Sequence, residues 1–100
     1  IYINYSGKDD IINSFNKYLQ INSNKEITDL RIKENLYSKE IPDPDILIRT
    51  GGYKRISDFM LYQISFTELM FTKKLWPDLS NKDLDRFIKN YYEIERKFGV

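Results

Sequence analysis

The chain has 100 residues, enough for one domain at most. Its 16 Lys and Arg against 15 Asp and Glu leave a net charge of +1, which argues against nucleic-acid binding through bulk charge. Because it contains no Cys and no His, disulfides, thiolate chemistry, the commonest general base and the commonest zinc ligand are all excluded. No apolar run approaches the length of a membrane-spanning helix or a signal-peptide core.

The first part of the chain is predicted to run from a strand into a helix. Residues 1–5 alternate as in a short strand, and because the chain starts in this pattern without Met we expect a piece of a longer protein. Ser6 and Asp9 have the spacing of a helix cap. Apolar side chains then recur on one helical face: Ile11, Ile12, Phe15, Tyr18 and Leu19. Thr28 is predicted to cap a second, less regular helix that ends near Tyr37.

Two prolines interrupt the chain over residues 41–44, and strands and helices are predicted to alternate after them. In order, we expect a buried parallel strand at residues 45–48, a helix at 57–64 capped by Ser57, a strand at 68–72, a turn at 76–78, and a helix from the Ser80-x-x-Asp83 cap to Gly99. This alternation predicts an α/β fold with a parallel sheet.

The segment between residues 46 and 57 carries the strongest functional signal. A buried strand delivers Arg49, then Gly51-Gly52, then Arg55 and Ser57 at a predicted helix start. Ligands bind outside the carboxyl ends of strands in open α/β sheets, and a helix N-terminus favours anions. Two guanidiniums and a hydroxyl can hold phosphate oxygens, so the segment predicts a diphosphate cradle. Neither the Walker A nor the Rossmann spacing is present, and the alternative is an ordinary loop with two surface arginines.

Glu68 is the candidate metal ligand. A carboxylate beside a diphosphate site can help to hold Mg²⁺, which prefers oxygen ligands and substrate phosphates. Two alternatives remain at this point: a solvated surface glutamate, or an ion-pair partner for Arg55.

As an ordered series, these motifs closely resemble the cis-prenyltransferases, the undecaprenyl and dehydrodolichyl diphosphate synthase family. The resemblance runs through residues 4–9, 43–52, 55–59, 63, 68–69, 71–72, 75–78 and 95–99. It implies an α/β, parallel-sheet, cis-prenyltransferase-like fold. It also implies that residues 1–100 are the C-terminal part of a single catalytic domain, whose N-terminal half carries the essential Asp and the allylic site.

The family resemblance implies an activity and roles for particular residues. The reaction is condensation of isopentenyl diphosphate onto an allylic diphosphate to give a long-chain polyprenyl diphosphate, as in undecaprenyl and dolichol synthesis. By position, Arg49, Arg55, Ile56 and Ser57 would bind isopentenyl diphosphate, and Glu68 would serve Mg²⁺. No catalytic residue is assigned to this part, which is expected to be inactive alone.

The expected partners follow from the same resemblance. The protein partner is a second identical chain or a different subunit, and no nucleic acid is expected. The product brings peripheral contact with a membrane, so the expected location is cytoplasmic or membrane-peripheral. The alternative function is a non-catalytic partner subunit of the Nogo-B-receptor type. Such partners often lose the diphosphate-binding residues, so the retention of Arg49, Arg55, Ser57 and Glu68 favours the catalyst. A generic phosphate-binding module would not explain Trp76-Pro77-Asp78.

Three positions depart from the family pattern and bear on substrate contact. Tyr53 stands where the family usually has Glu, and Ser6-Gly7-Lys8 stands for Gly-Gly-Arg. Lys97-Phe98-Gly99 stands for the terminal Arg-x-Gly that reaches toward a site across the dimer. Lys keeps the charge of Arg but loses its planar fork.

Overall fold

The computed structural model describes residues 1–22 and 25–94. The chain divides into two compact units, each built from two stretches of sequence. The first unit comprises Ile1–Asp43 with Ser57–Tyr62, and the second comprises Pro44–Ile56 with the chain from Gln63 onward. The chain therefore passes from one unit to the other between Ile56 and Ser57, inside the segment that carries the functional signal.

The first unit is built on two helices, α1 (Gly7–Ile21) and α2 (Asp29–Lys33). Ser6 caps α1 as predicted, because its hydroxyl accepts a hydrogen bond of 3.1 Å from the Asp9 N–H. Thr28 caps α2, but this helix ends at Lys33 and turns replace the rest of the predicted element. Four apolar side chains are buried among the described residues of this unit: Tyr18, Ile32, Leu36 and Met60.

Residues 1–5 do not form the predicted strand. Their backbone bends, and Asn4 has a φ of 52°, which lies outside the extended region. Alternation of side chains is not sufficient to form a strand, because a strand also needs a partner strand to satisfy its backbone groups. No strand in the described part of the chain pairs with residues 1–5.

The predicted helix at residues 57–64 is also wrong, since the structure has turns there. Ser57, Asp58 and Met60 have φ values of 49°, 62° and 48°. This left-handed conformation is unfavourable for residues with a Cβ and cannot continue a right-handed helix. The carbonyl of Asp58 accepts a 2.7 Å hydrogen bond from the N–H of Gly7, so a long-range bond replaces helical pairing.

The second unit contains a parallel pair of strands, β1 (Ile46–Arg49) and β2 (Glu68–Phe71). The predicted parallel pairing is confirmed, with Ile46 opposite Glu68 and Arg49 opposite Phe71. The residues of β1 are half-buried, not fully buried as predicted. The Thr67 hydroxyl donates a 2.6 Å hydrogen bond to the Pro44 carbonyl just before the strands begin.

A 3₁₀ turn at Trp76–Asp78 leads into α3 (Asn81–Glu93). Both the turn and the start of the helix agree with the sequence prediction. The helix ends at Glu93, whereas the predicted end at Gly99 lies outside the described residues. Within residues 1–22 and 25–94, no helix combines the length and apolar character needed to cross a membrane.

Candidate functional site

A glycine turn follows β1 at the strand's carboxyl end. Gly51 and Gly52 have φ values of 83° and 82°, which residues with a Cβ rarely adopt. The Gly51 N–H donates to the Lys74 carbonyl at 2.8 Å, and the Gly52 N–H donates to the Thr72 carbonyl at 3.0 Å. The glycines are therefore required as predicted, but their N–H groups hold the turn against the chain after β2 and do not face an anion.

The prediction that a helix N-terminus contributes to the cradle is wrong. Ser57 does not begin a helix, so no helix N-terminus offers N–H groups there. A helix N-terminus therefore contributes nothing to an anion site in the 49–55 loop. This shifts the emphasis to the two arginines.

The two arginines converge on one aromatic ring. The guanidinium carbon of Arg55 lies 4.5 Å from the centre of the Tyr53 ring, and that of Arg49 lies 5.7 Å from it. Both distances are within the range of a cation–π interaction. The guanidiniums are thus no farther apart than the sum of these distances. Sequence reasoning noted Tyr53 only as a departure, although an aromatic residue between two arginines is a signal for stacking.

The loop is positively charged without compensation. Residues 49–55 include Arg49, Lys54 and Arg55 and no acidic residue. Within residues 1–22 and 25–94, neither arginine forms an ion pair. Lys54 and Lys73 also line a shallow depression of about 180 Å³ beside Gly52. Uncompensated cations next to a concave surface favour a phosphate-bearing ligand.

Ile56 and Ser57 continue from this loop but lie in different units. Ile56 is half-buried in the second unit, whereas Ser57 is exposed in the first. Its neighbour Asp58 is anchored, because the Asp58 carboxylate accepts hydrogen bonds from the Ser6 hydroxyl at 2.7 Å and the Lys8 N–H at 3.1 Å. The hydrogen bond from Ser6 lowers the pKa of Asp58 below its usual value, so this anchor is ionised at neutral pH. A strained residue held by its surroundings is common at functional sites.

Glu68 lies at the other end of the strand pair. It is half-buried at the start of β2, opposite Ile46, whereas Arg49 stands opposite Phe71 at the strand ends. These ends are three residue steps apart along the strands, which is roughly 10 Å of backbone. Glu68 forms no ion pair among the described residues, so the alternative of an Arg55–Glu68 pair is not found.

The residues described fit Mg²⁺ only as one part of a site. No group of three potential metal-ligating side chains is present within residues 1–22 and 25–94. Glu68 can supply one carboxylate, and Mg²⁺ commonly takes one or two carboxylates together with waters and substrate phosphates. Waters and substrate phosphates would supply further ligands.

The parallel strand pair and the cationic glycine loop at its carboxyl end define an α/β protein with a candidate anion site. A family model described as "Putative undecaprenyl diphosphate synthase" matches residues 1–99. The chain belongs to this prenyltransferase family. A relative from Thermotoga maritima, named isoprenyl transferase, is 40% identical over 99% of this chain and 44% of its own length. An isoprenyl transferase from Chlamydia muridarum is 43% identical over 97% of this chain and 40% of its own length.

Solved structures confirm the predicted fold class. A probable undecaprenyl diphosphate synthase from Campylobacter jejuni matches with a TM-score of 0.87 and 32% identity, over 98% of this chain and 45% of that one. Lavandulyl diphosphate synthase from Lavandula x intermedia, in complex with dimethylallyl diphosphate, matches with a TM-score of 0.89 and 33% identity, over 98% and 44%. The chain spans less than half the length of these relatives.

Proposed function

We propose that the protein containing this chain is a cis-prenyltransferase that condenses isopentenyl diphosphate onto an allylic diphosphate. Family membership and relatives named isoprenyl transferase support the reaction class. The observation that carries the proposal is the uncompensated pair of guanidiniums, Arg49 and Arg55, at the end of β1. Two phosphate groups need several cationic donors, and this loop supplies them without a competing carboxylate.

In this proposal, the chain supplies the isopentenyl diphosphate site. Arg49 and Arg55 bind the diphosphate oxygens through their N–H groups, and the exposed Ser57 hydroxyl adds a further hydrogen bond. Ile56 provides apolar contact beside them. The allylic diphosphate and the chemistry at its reacting carbon are assigned to chain beyond these 100 residues.

The test measures steady-state kinetics of the full-length protein with both diphosphate substrates. Arg49→Ala or Arg55→Ala should raise the KM for isopentenyl diphosphate by about ten- to a hundredfold, because each loses a charge-assisted hydrogen bond worth roughly 1.5–3 kcal/mol. The KM for the allylic substrate should change less. Arg→Lys at either position should restore only part of the loss, since the planar fork is absent.

The matched control is Arg31→Ala, which removes an arginine from the surface of α2. Its KM values should match those of the wild type. If both loop variants keep the KM for isopentenyl diphosphate within twofold, the diphosphate site lies elsewhere. If the full-length protein is inactive alone but raises the activity of a separate catalytic chain, the non-catalytic subunit is the correct function.

We further propose that Glu68 supplies a carboxylate to Mg²⁺ bound with the substrate diphosphates. The support is the preference of Mg²⁺ for carboxylates and phosphates and the absence of an ion pair to Glu68 among the described residues. Glu68→Gln should raise the Mg²⁺ concentration needed for half-maximal activity and leave stability within about 0.5 kcal/mol. Glu40→Gln, which changes an exposed glutamate outside the proposed site, is the control. An unchanged Mg²⁺ titration for Glu68→Gln would refute the assignment.

A homodimer is the proposed assembly, with peripheral membrane contact through the apolar product. Leu84, Ile88 and Tyr92 recur every four residues on α3 and are all exposed. An exposed apolar stripe of this kind is typical of a surface that another chain covers. Sedimentation of the full-length protein should give twice the monomer mass, whereas a monomer would contradict the proposal.

A further inference from the structure

The Tyr53 ring holds the two arginines of the loop in one place. Arg49 and Arg55 come from opposite ends of the loop, four residues before and two residues after Tyr53. Their guanidiniums nevertheless lie 5.7 and 4.5 Å from the centre of the same ring. Resting on the proposed function, we infer that Tyr53 is a positioning residue that stacks against both guanidiniums and thereby aims them at one diphosphate.

An aromatic ring can position arginines without neutralising their charge. The ring attracts a guanidinium through its π face, which leaves the N–H groups at the guanidinium edge available to a ligand. A carboxylate at position 53 would instead accept those N–H groups and neutralise part of the positive charge. Tyr53 is 51% exposed, Arg55 is exposed and Arg49 is half-buried, so a ligand can reach this cluster from solvent.

The backbone before Tyr53 is also fixed. Gly51 and Gly52 donate hydrogen bonds to the carbonyls of Lys74 and Thr72, which holds the start of the residue 53 segment against the chain after β2. A ring attached to a fixed turn can restrict two long side chains. Arginines restricted in advance lose less rotational freedom when an anion binds, and this strengthens binding.

The experiment compares substitutions of Tyr53 in the full-length protein. It measures the Kd for inorganic pyrophosphate by calorimetry, together with kcat and the KM for isopentenyl diphosphate. Tyr53→Leu should weaken pyrophosphate binding and raise this KM by about three- to tenfold, with kcat little changed, since an exposed cation–π contact and its ordering effect are modest. Tyr53→Phe should retain wild-type values. Tyr53→Glu should bind more weakly than Tyr53→Leu and regain part of its affinity when the pH falls below the pKa of the carboxyl.

Two controls separate positioning from folding. Tyr37→Leu removes another exposed tyrosine, whose ring centre lies 5.2 Å from the Lys17 ammonium group. It should leave the Kd for pyrophosphate and the KM for isopentenyl diphosphate unchanged. Tyr53→Gln, a second neutral substitution without a ring, should repeat the result of Tyr53→Leu. Melting curves of all variants show whether a lost affinity reflects a lost fold.

The outcomes distinguish this inference from the proposed function. If Arg49→Ala and Arg55→Ala do not change pyrophosphate binding, the proposed site is wrong and the inference fails with it. If those variants weaken binding while Tyr53→Leu and Tyr53→Gln match the wild type, the site stands and the positioning role is overturned. Equal losses in Tyr53→Phe and Tyr53→Leu would also overturn it, because the hydroxyl and not the ring would then be responsible.

Discussion

The starts of α1 and α3 share one local sequence pattern but are completed by different carboxylates. Each helix begins with Ser-x-x-Asp, in which the Ser is the N-cap. At each, the Ser hydroxyl accepts a hydrogen bond from the Asp N–H. At α3, the carboxylate of Asp83 returns to the Ser80 N–H and hydroxyl at 2.9 and 2.8 Å, which closes a capping box. It also pairs with Lys74 at 2.8 Å, so this helix start is closed by nearby residues.

At α1, the corresponding Asp9 is exposed and a distant residue takes its place. The Ser6 hydroxyl donates to Asp58, 52 residues later in the chain, and the same carboxylate accepts the Lys8 N–H. The spacing of Ser and Asp thus predicts that a helix starts, but tertiary structure decides which carboxylate completes the cap. Asp58 adjoins Ser57 and both residues have positive φ values, so the chain next to this cap leaves helical geometry.

The largest expected effect in this comparison comes from Gly7→Ala. A Cβ at position 7 would lie 2.7 Å from the Asp58 carbonyl oxygen and 2.9 Å from Leu61 Cγ. Alanine normally improves a helix, yet here the backbone contact must open, at a cost of about 1–3 kcal/mol. Urea unfolding of the full-length protein measures the change. Asn16→Ala, at an exposed position of α1, is the control and should stabilise slightly. A stabilised Gly7→Ala would show that the Asp58 contact is absent.

A smaller effect, dependent on pH, is expected for Asp83→Asn. The hydrogen bonds from Lys74 and from the Ser80 N–H and hydroxyl hold the pKa of Asp83 well below its usual range. Because the folded pKa is lower than the unfolded value of about 3.9, the stabilisation is present above pH 4 and is lost as pH falls through the folded pKa. Asp83→Asn should therefore be less stable than the wild type at pH 7. The difference in stability between the two proteins should become smaller below pH 4.

Asp9→Asn is the matched control for this titration, since it changes the same position of the other helix start. Asp9 is exposed, so its variant should unfold like the wild type at pH 7. Thermal unfolding between pH 2 and pH 7 measures both variants. A gap for Asp83→Asn that stays constant down to pH 2 would contradict the assigned ion pair.

Sequence reasoning succeeded where a feature depends on neighbouring residues. The helices α1 and α3, their Ser caps and the glycine turn after β1 depend on local sequence, and the structure confirms each of them. The apolar face predicted for α1 is wrong in part, because Tyr18 is buried with Asp10 and Ser14 whereas Ile12, Phe15 and Leu19 are exposed. The helix expected at residues 57–64 failed because Gly7 and Ser6 bond to Asp58, a contact that no local pattern contains. The same holds at the site, where the arginines were foreseen but their convergence on Tyr53 was not, because it depends on how the loop folds.

The smallest effect expected is a coupling between pairs of residues at the start of α1. Ser6→Ala should cost about 1 kcal/mol, the usual loss for an N-cap. If Asp58 completes this cap, the losses from Ser6→Ala and Asp58→Asn overlap, because both remove the 2.7 Å hydrogen bond between them. The double variant should then lose less than the sum of the two single losses. Ser6→Ala and Asp9→Asn share no side-chain contact and should add within about 0.5 kcal/mol. Urea unfolding of the two double-mutant cycles in the full-length protein measures both couplings, and additivity in the Ser6–Asp58 cycle would show that the distant carboxylate does not complete the cap.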